Sequence, residues 1–158
     1  MKNAILIVIS IILLTNCKKD SKINDIVNPT ASFTCKINGT TWTAITRVTR
    51  KESNKFIITG TSSLGSDALN IVTFGTEKKT YNLSPIDGKT EFSATFTNDT
   101  QITDSLYQAV NGTVTITSLD TTNKKISGTF QFITSKIVNP LIIKEITSGS
   151  FNNLTYTE

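Results

Sequence analysis

The chain has 158 residues, 37% hydrophobic and 18% charged, with 16 Lys and Arg against 12 Asp and Glu. That is one domain's worth of material, and the composition excludes a coiled coil, a collagen-like repeat, a disulfide-rich miniprotein and a polytopic membrane protein. Histidine is absent, which removes Ser/His/Asp and Cys/His catalysis and every metal site built on imidazole.

The first residues read as a targeting segment. Met1 to Asn3 form a short basic start, Ala4 to Leu14 is apolar apart from Ser10, and Leu14-Thr15-Asn16-Cys17 leads into Lys18-Lys19-Asp20, the layout of a signal peptide. As a helix the apolar run would rise about 16 Å, roughly half of the ~30 Å hydrocarbon core of a bilayer, so a permanent span is not expected. Residues 1–16 resemble a bacterial lipoprotein signal peptide, in which the cysteine after the apolar run is diacylated on sulfur, becomes the new N-terminus and is then N-acylated. Cys17 is the candidate lipidation site. Leu14 suits the position three before the cysteine, whereas Asn16 stands where Gly, Ala or Ser is usual. Cleavage by an ordinary signal peptidase and an uncleaved anchor are the alternatives. Two or three acyl chains hold a protein on a bilayer essentially permanently, at about 0.8 kcal/mol per buried methylene. Lys18 does not resemble the Asp that retains many lipoproteins in an inner membrane, so an outer-membrane, lipid-anchored location is expected, on the periplasmic face or at the cell surface.

Residues 17–32 read as a lipidated flexible tether, polar and mixed in charge with Pro29 near its end. From Cys17 onward, with Lys2 removed, the basic residues number 15 against 12 acids, and Arg47 and Arg50 are the only arginines. Nucleic acid calls for a Lys/Arg-rich face, so it is not an expected partner. The membrane, reached through the lipid on Cys17, is.

From Phe33 the pattern is period two, apolar residues alternating with Thr, Ser, Lys or Gln. The chain contains 28 Thr, 15 Ser and 14 Asn, and Thr at that density favours extended backbone. Phe33, Cys35 and Ile37 share one strand face, and Asn38-Gly39 supplies a tight hairpin turn into a strand from Thr40 to Val48. Phe56, Ile58 and Gly60 alternate next. Leu69 to Phe74 is a more continuously apolar strand, and Phe92, Ala94 and Phe96 line another. Val114 and Ile116 form a hairpin with Ile126, Gly128, Phe130 and Phe132 through the turn-rich link Leu119 to Asn123. A last strand is expected from Lys144 to Tyr156, bulged near Gly149. A weak echo links Ile58-Thr59-Gly60-Thr61, Ile126-Ser127-Gly128-Thr129 and Thr147-Ser148-Gly149-Ser150; a strand glycine marks a bulge or a place where a large side chain crosses. The half-polar strands exclude a buried parallel sheet. The predicted fold class is therefore all-β, a single antiparallel β-sandwich over residues 33–158, with a small closed β-barrel as the alternative.

The segments Phe33-Thr34-Cys35-Lys36-Ile37-Asn38-Gly39-Thr40-Thr41-Trp42, Tyr81-Asn82-Leu83, Gly112-Thr113-Val114-Thr115-Ile116-Thr117, Ile126-Ser127-Gly128-Thr129-Phe130 and Ser148-Gly149-Ser150-Phe151 together resemble a family of small uncharacterised lipoproteins of Bacteroidetes-type bacteria. The resemblance implies an exported, lipid-anchored, β-sandwich-like domain with no established activity, and no catalytic residues come with it.

The search for chemistry nominates little. Cys35 lies between Phe33 and Ile37 on an apolar strand face, with no histidine to lower its pKa, and reads as a packing residue. Asp99 and Asp104 share a loop that offers oxygen ligands for calcium, but solvated turn residues are the stronger reading. Asp87-Gly88 is a turn signal. Lys78-Lys79 and Lys124-Lys125 read as charged hairpin ends. Trp42 invites a sugar-stacking role, yet its phase favours packing across the first hairpin, and Tyr81, Tyr107 and Tyr156 share no spacing that suggests an aromatic strip. Catalytic, metal and cofactor sites are accordingly none. The expected function is a non-enzymatic envelope protein that binds a protein or glycan through loops of the sandwich. The alternatives are a barrel carrying a small apolar ligand and, less favoured, a carboxylate-based hydrolase using Asp99, Asp104 or Glu91.

Overall fold

The computed structural model describes residues 30–62, 67–100 and 102–158, so the expected signal peptide, Cys17 and most of the expected tether lie outside the described residues. In chain order the strands are β1 (Ser32–Ile37), β2 (Thr40–Thr43), β3 (Thr46–Glu52), β4 (Lys55–Thr61), β5 (Ala68–Thr73), β6 (Thr80–Ser84), β7 (Lys89–Thr90), β8 (Phe92–Thr97), β9 (Leu106–Asp120), β10 (Lys125–Lys136) and β11 (Asn139–Thr157). The one helical segment among the described residues is a 3-10 turn, Thr103–Ser105. The domain is all-β, as the alternation predicts.

Hydrogen bonding orders the strands β2-β1-β11-β3-β4-β5-β8-β9-β6-β7, with β10 joining β9 to β11. Among the described residues every pairing is antiparallel except β11 with β3, where Tyr156 faces Thr49 and Thr157 faces Arg50. That two-residue parallel contact returns the sheet to itself. The result is a sheet folded over into two layers around one core, and not an evenly closed barrel. β9 makes the fold possible by changing neighbours. Its first residues pair with β8, through Leu106 to Gln108, and Gly112 to Thr115 pair with β6, while its other edge follows β10 throughout. Gly112, at the switch, has φ +145°, a conformation open to glycine.

Two expected boundaries differ. The strand expected from Thr40 to Val48 is two strands, because the chain crosses between layers at Ala44-Ile45. The Ala44 N–H donates to the Phe33 carbonyl at 2.9 Å, and the Ile45 N–H donates to the Thr61 carbonyl at 2.8 Å. Arg47 locks the corner by donating to the Ala44 carbonyl at 2.7 Å. The closing strand begins at Asn139, before Lys144, because it continues the β10 hairpin with Asn139 opposite Lys136.

β11 carries the bulge expected near Gly149, a second at Asn153, and a wider register shift between Asn139 and Ile143. Ser148 (φ 51°) and Asn153 (φ 47°) both take left-handed backbone, and each adds a residue opposite β10. The inward residues become Ile146, Gly149, Phe151, Leu154 and Tyr156. Strict alternation from Ile146 would have sent Phe151 into solvent.

The echoed glycines share one task. Gly60 lies beneath the Phe33 ring, Gly128 beneath Phe151 and Gly149 beneath Phe130; a Cβ on Gly60 would stand 2.6 Å from the Phe33 ring. Phe33 meets Trp42 edge-on at 5.6 Å and Phe130 at 5.5 Å between centroids, the geometry aromatic quadrupoles favour. Val114, Ile116, Ile126, Phe130 and Phe132 are all buried, and Thr129 is exposed on the other face, as the period predicts.

Candidate binding surface

Most nominated side chains are structural. Cys35 is buried in the core, and burial pushes its thiol up to about 12, which keeps it protonated near neutrality. Trp42 is buried in the core with its indole N–H donated to Asp67 Oδ2 at 3.1 Å. Tyr81, Tyr107 and Tyr156 are core residues too. The Tyr81 hydroxyl donates to the Glu77 carbonyl and accepts from the Glu77 N–H, both at 2.9 Å. Asp87-Gly88 turns β6 into β7, with Ser84 Oγ donating to Asp87 Oδ2 at 2.9 Å.

The Asp99 to Asp104 loop is organised by a backbone oxygen. The Asp99 carbonyl accepts from Thr97 Oγ1 at 2.9 Å, from the Ile102 N–H at 3.3 Å and from Ser105 Oγ. Asp104 is exposed in the 3-10 turn. Among the described residues no group of three or more His, Cys, Asp or Glu side chains is gathered as for a metal ion.

The lysines serve as braces. Lys79 meets Glu91 at 3.1 Å, while Lys51 and Lys124 reach the Glu158 side chain at 2.8 and 3.0 Å. Lys124 sits in the β9–β10 turn, as expected of a hairpin end. Glu91 also accepts from the Asn82 N–H at 2.9 Å and the Asn82 side-chain amide at 3.1 Å. These hydrogen bonds, with the Lys79 ammonium, lower its pKa from 4.5 to about 2. A carboxyl that ionises there holds no proton to donate near neutrality. Because its folded value lies below its ordinary one, its contribution to stability is fully present above about pH 4.5 and is lost as the pH falls through 2. In denaturant titrations across that window, wild type should lose more stability than Glu91→Gln; parallel curves would remove Glu91 as a brace.

What the strands assemble instead is a surface. On the outer face of β9, β10 and β11 the outward residues alternate with the core. The Ser148 bulge opens a hollow of about 480 Å³ lined by Thr113, Thr129, Gln131, Ser148 and Ser150, with Gly149 in its floor. Beside it, sharing Gln131, a second hollow of about 320 Å³ is lined by Asn111, Ile133, Glu145 and Thr147 around Gly112. Hydroxyls and amides form the first hollow, and aliphatic carbon enters with the second. Beyond it lies the tip of the β10–β11 hairpin, an arm from Lys136 to Lys144 that turns at Ile137-Val138 and leaves Pro140 to Ile142 outside the ladder. There Ile137, Val138, Leu141, Ile142 and Ile143 are all exposed, Leu141 at 92%.

Sequence reasoning missed both features. Thr129 and Gln131 read as an ordinary solvated face, since their grouping with Thr113 and Ser150 depends on register across three strands. The run Ile137-Val138-Asn139-Pro140-Leu141-Ile142-Ile143 carries the one available signal, apolar residues without a strand's alternation on a solvated hairpin.

A family model described as a domain of unknown function, DUF6252, matches residues 29–155. No curated protein and no solved structure matches the chain.

Proposed function

The chain belongs to the DUF6252 family, and from that domain's own surfaces we propose an exported, lipid-anchored envelope protein that binds a protein or glycan partner and carries out no chemistry itself. The observation that carries the binding half is the hollow on the outer face of β9–β10–β11. Its side chains, Thr113, Thr129, Gln131, Ser148 and Ser150, are uncharged donors and acceptors held on a rigid sheet. Such groups suit sugar hydroxyls or a polypeptide's backbone amides. This reading puts the binding surface on a sheet face, where the sequence suggests loops. Export and anchoring are supported by the signal-like run ending at Cys17 and by the resemblance to small exported lipoproteins of Bacteroidetes-type bacteria. The folded-over sheet, whose centre is filled by Phe33, Phe130 and Phe151, disfavours a barrel that carries an apolar ligand within.

The test pairs a glycan array and an envelope-protein pull-down with a hydrolase panel, using wild type and Gln131→Ala. Binding weakened at least tenfold in Gln131→Ala, with the fold intact, is the expected result. Turnover that disappears in Asp99→Asn, Asp104→Asn or Glu91→Gln would put the hydrolase reading first.

A further inference from the structure

We propose that the Lys136 to Lys144 arm dips into the lipid bilayer, giving the domain a second membrane contact beside the Cys17 anchor. This rests on the lipid-anchor reading above and goes beyond it by naming what covers the arm. The first five residues of β11, Asn139 to Ile143, are all exposed, because neither layer of the domain reaches them. Ile137 and Val138 form the hairpin turn, and Pro140 to Ile142 lie outside the ladder, in the register shift between Asn139 opposite Lys136 and Ile143 opposite Ser135. The aliphatic side chains therefore cap the tip of the hairpin and are not confined to one strand face. A contiguous exposed apolar patch marks an interaction site.

The residue types point the same way. Protein–protein hot spots favour Trp, Tyr and Arg over Leu and Val, and the arm has none of those three. Between its two lysines it has no carboxylate; Glu145 follows Lys144, and Asp104 lies two residues before Leu106, whose carbonyl accepts from the Ile137 N–H at 3.1 Å. Lys144 is held at the arm's base with its ammonium 4.9 Å from the Tyr107 ring centroid.

The chain outside the described strands is long enough. Ser32 pairs with Asn152, so the expected tether joins the domain at the end of β11 remote from the arm. From Asn152 to Leu141 is about 36 Å at ~3.3 Å per residue. Fully extended, the chain from Cys17 to Ala31 spans about 50 Å at ~3.6 Å per residue. Cys17 and the arm tip can therefore both occupy one bilayer while the hydroxyl-lined hollow stays in water. Anchoring also converts a weak insertion into an intramolecular one at high effective concentration.

The test places an environment-sensitive fluorophore on Leu141→Cys in the full-length processed protein, in vesicles of phosphatidylethanolamine and phosphatidylglycerol. Cys35 is buried, and Cys17 is acylated in the processed protein or, where palmitate labelling is absent, replaced by Ser, so the new thiol is the labelling site. A control carries the probe at Asn54→Cys, in the exposed β3–β4 turn. The expected result is a blue-shifted Leu141 probe quenched at least tenfold more than the Asn54 probe by lipids with a nitroxide on the acyl chain. A Leu141 probe that stays in water on a folded protein would overturn the inference, as would equal quenching at both sites. A probe that is dry before vesicles are added, on a protein whose mass doubles with concentration, would overturn it in favour of a second copy. Palmitate labelling reads the anchor separately. An unlabelled protein whose Leu141 probe still enters vesicles keeps the arm and loses the anchor, and a labelled protein with its probe in water does the reverse.

Discussion

Phe130→Ala is expected to cost about 3 to 5 kcal/mol, as for other buried aromatics, while Thr129→Ala on the opposite face stays within about 1 kcal/mol. Phe130 stands where the fold is most interdependent. Its ring meets Phe33 at 5.5 Å, Phe132 at 5.7 Å and Phe151 at 6.4 Å, and it covers the bare backbone of Gly149. Truncation removes those contacts together, and three strands cannot collapse into the space without breaking their ladders. Gly149→Ala alone should cost about 1 to 3 kcal/mol by overpacking, because the atoms nearest its added Cβ belong to the Phe130 ring. Combined with Phe130→Ala it should cost less than the sum, since the new methyl then enters a vacated space. Urea titrations of wild type and these four variants measure this. Equal effects at Phe130 and Thr129, or strict additivity at Gly149, would mean that the two faces of β10 are assigned wrongly.

Gly112→Ala is expected to lose at least about 3 kcal/mol, for two reasons that add. At φ +145° an L side chain is strained by about 1 to 3 kcal/mol, and the nearest atoms to its Cβ would be the Gln131 carbonyl oxygen and Phe132, part of it backbone that cannot swing aside. Gly88→Ala is the matched comparison. Gly88 also has positive φ, +64°, but nothing lies within 4 Å of its would-be Cβ, so only the conformational cost of about 1 to 2 kcal/mol applies. If the two substitutions cost the same, the neighbour switch of β9 does not depend on close approach at Gly112.

The alternation of Phe56, Ile58 and Gly60, or of Phe92, Ala94 and Phe96, is legible in sequence because a two-faced strand must obey it. The three strand glycines were legible as bulges or crossings, though not which of the two, nor which ring lies over each. β11 was legible only in part. Its bulges at Ser148 and Asn153 reset the phase twice, and a residue such as Asn153 declares its left-handed backbone only through its neighbours, here Ser127 Oγ accepting its N–H at 2.9 Å. The corner at Ala44-Ile45 was missed because Val48 keeps the sequence phase of Trp42 and Ala44, whereas beyond the corner the inward position passes to Thr49 and Val48 is exposed. The hollow and the arm were missed for a shared reason. Outward side chains have no period that distinguishes a bare face from a gathered one, and an aliphatic run such as Ile137 to Ile143 looks like core until the layers prove too short to cover it.

That Cys17 holds a binding domain to an envelope membrane is read by metabolic labelling with a palmitate analogue followed by membrane fractionation, in wild type and Cys17→Ser. Labelled wild type in the outer-membrane fraction, with unlabelled Cys17→Ser released from the membrane or held by the arm far more weakly, is the predicted result. Wild-type protein that is exported and folded yet carries no label would contradict the account.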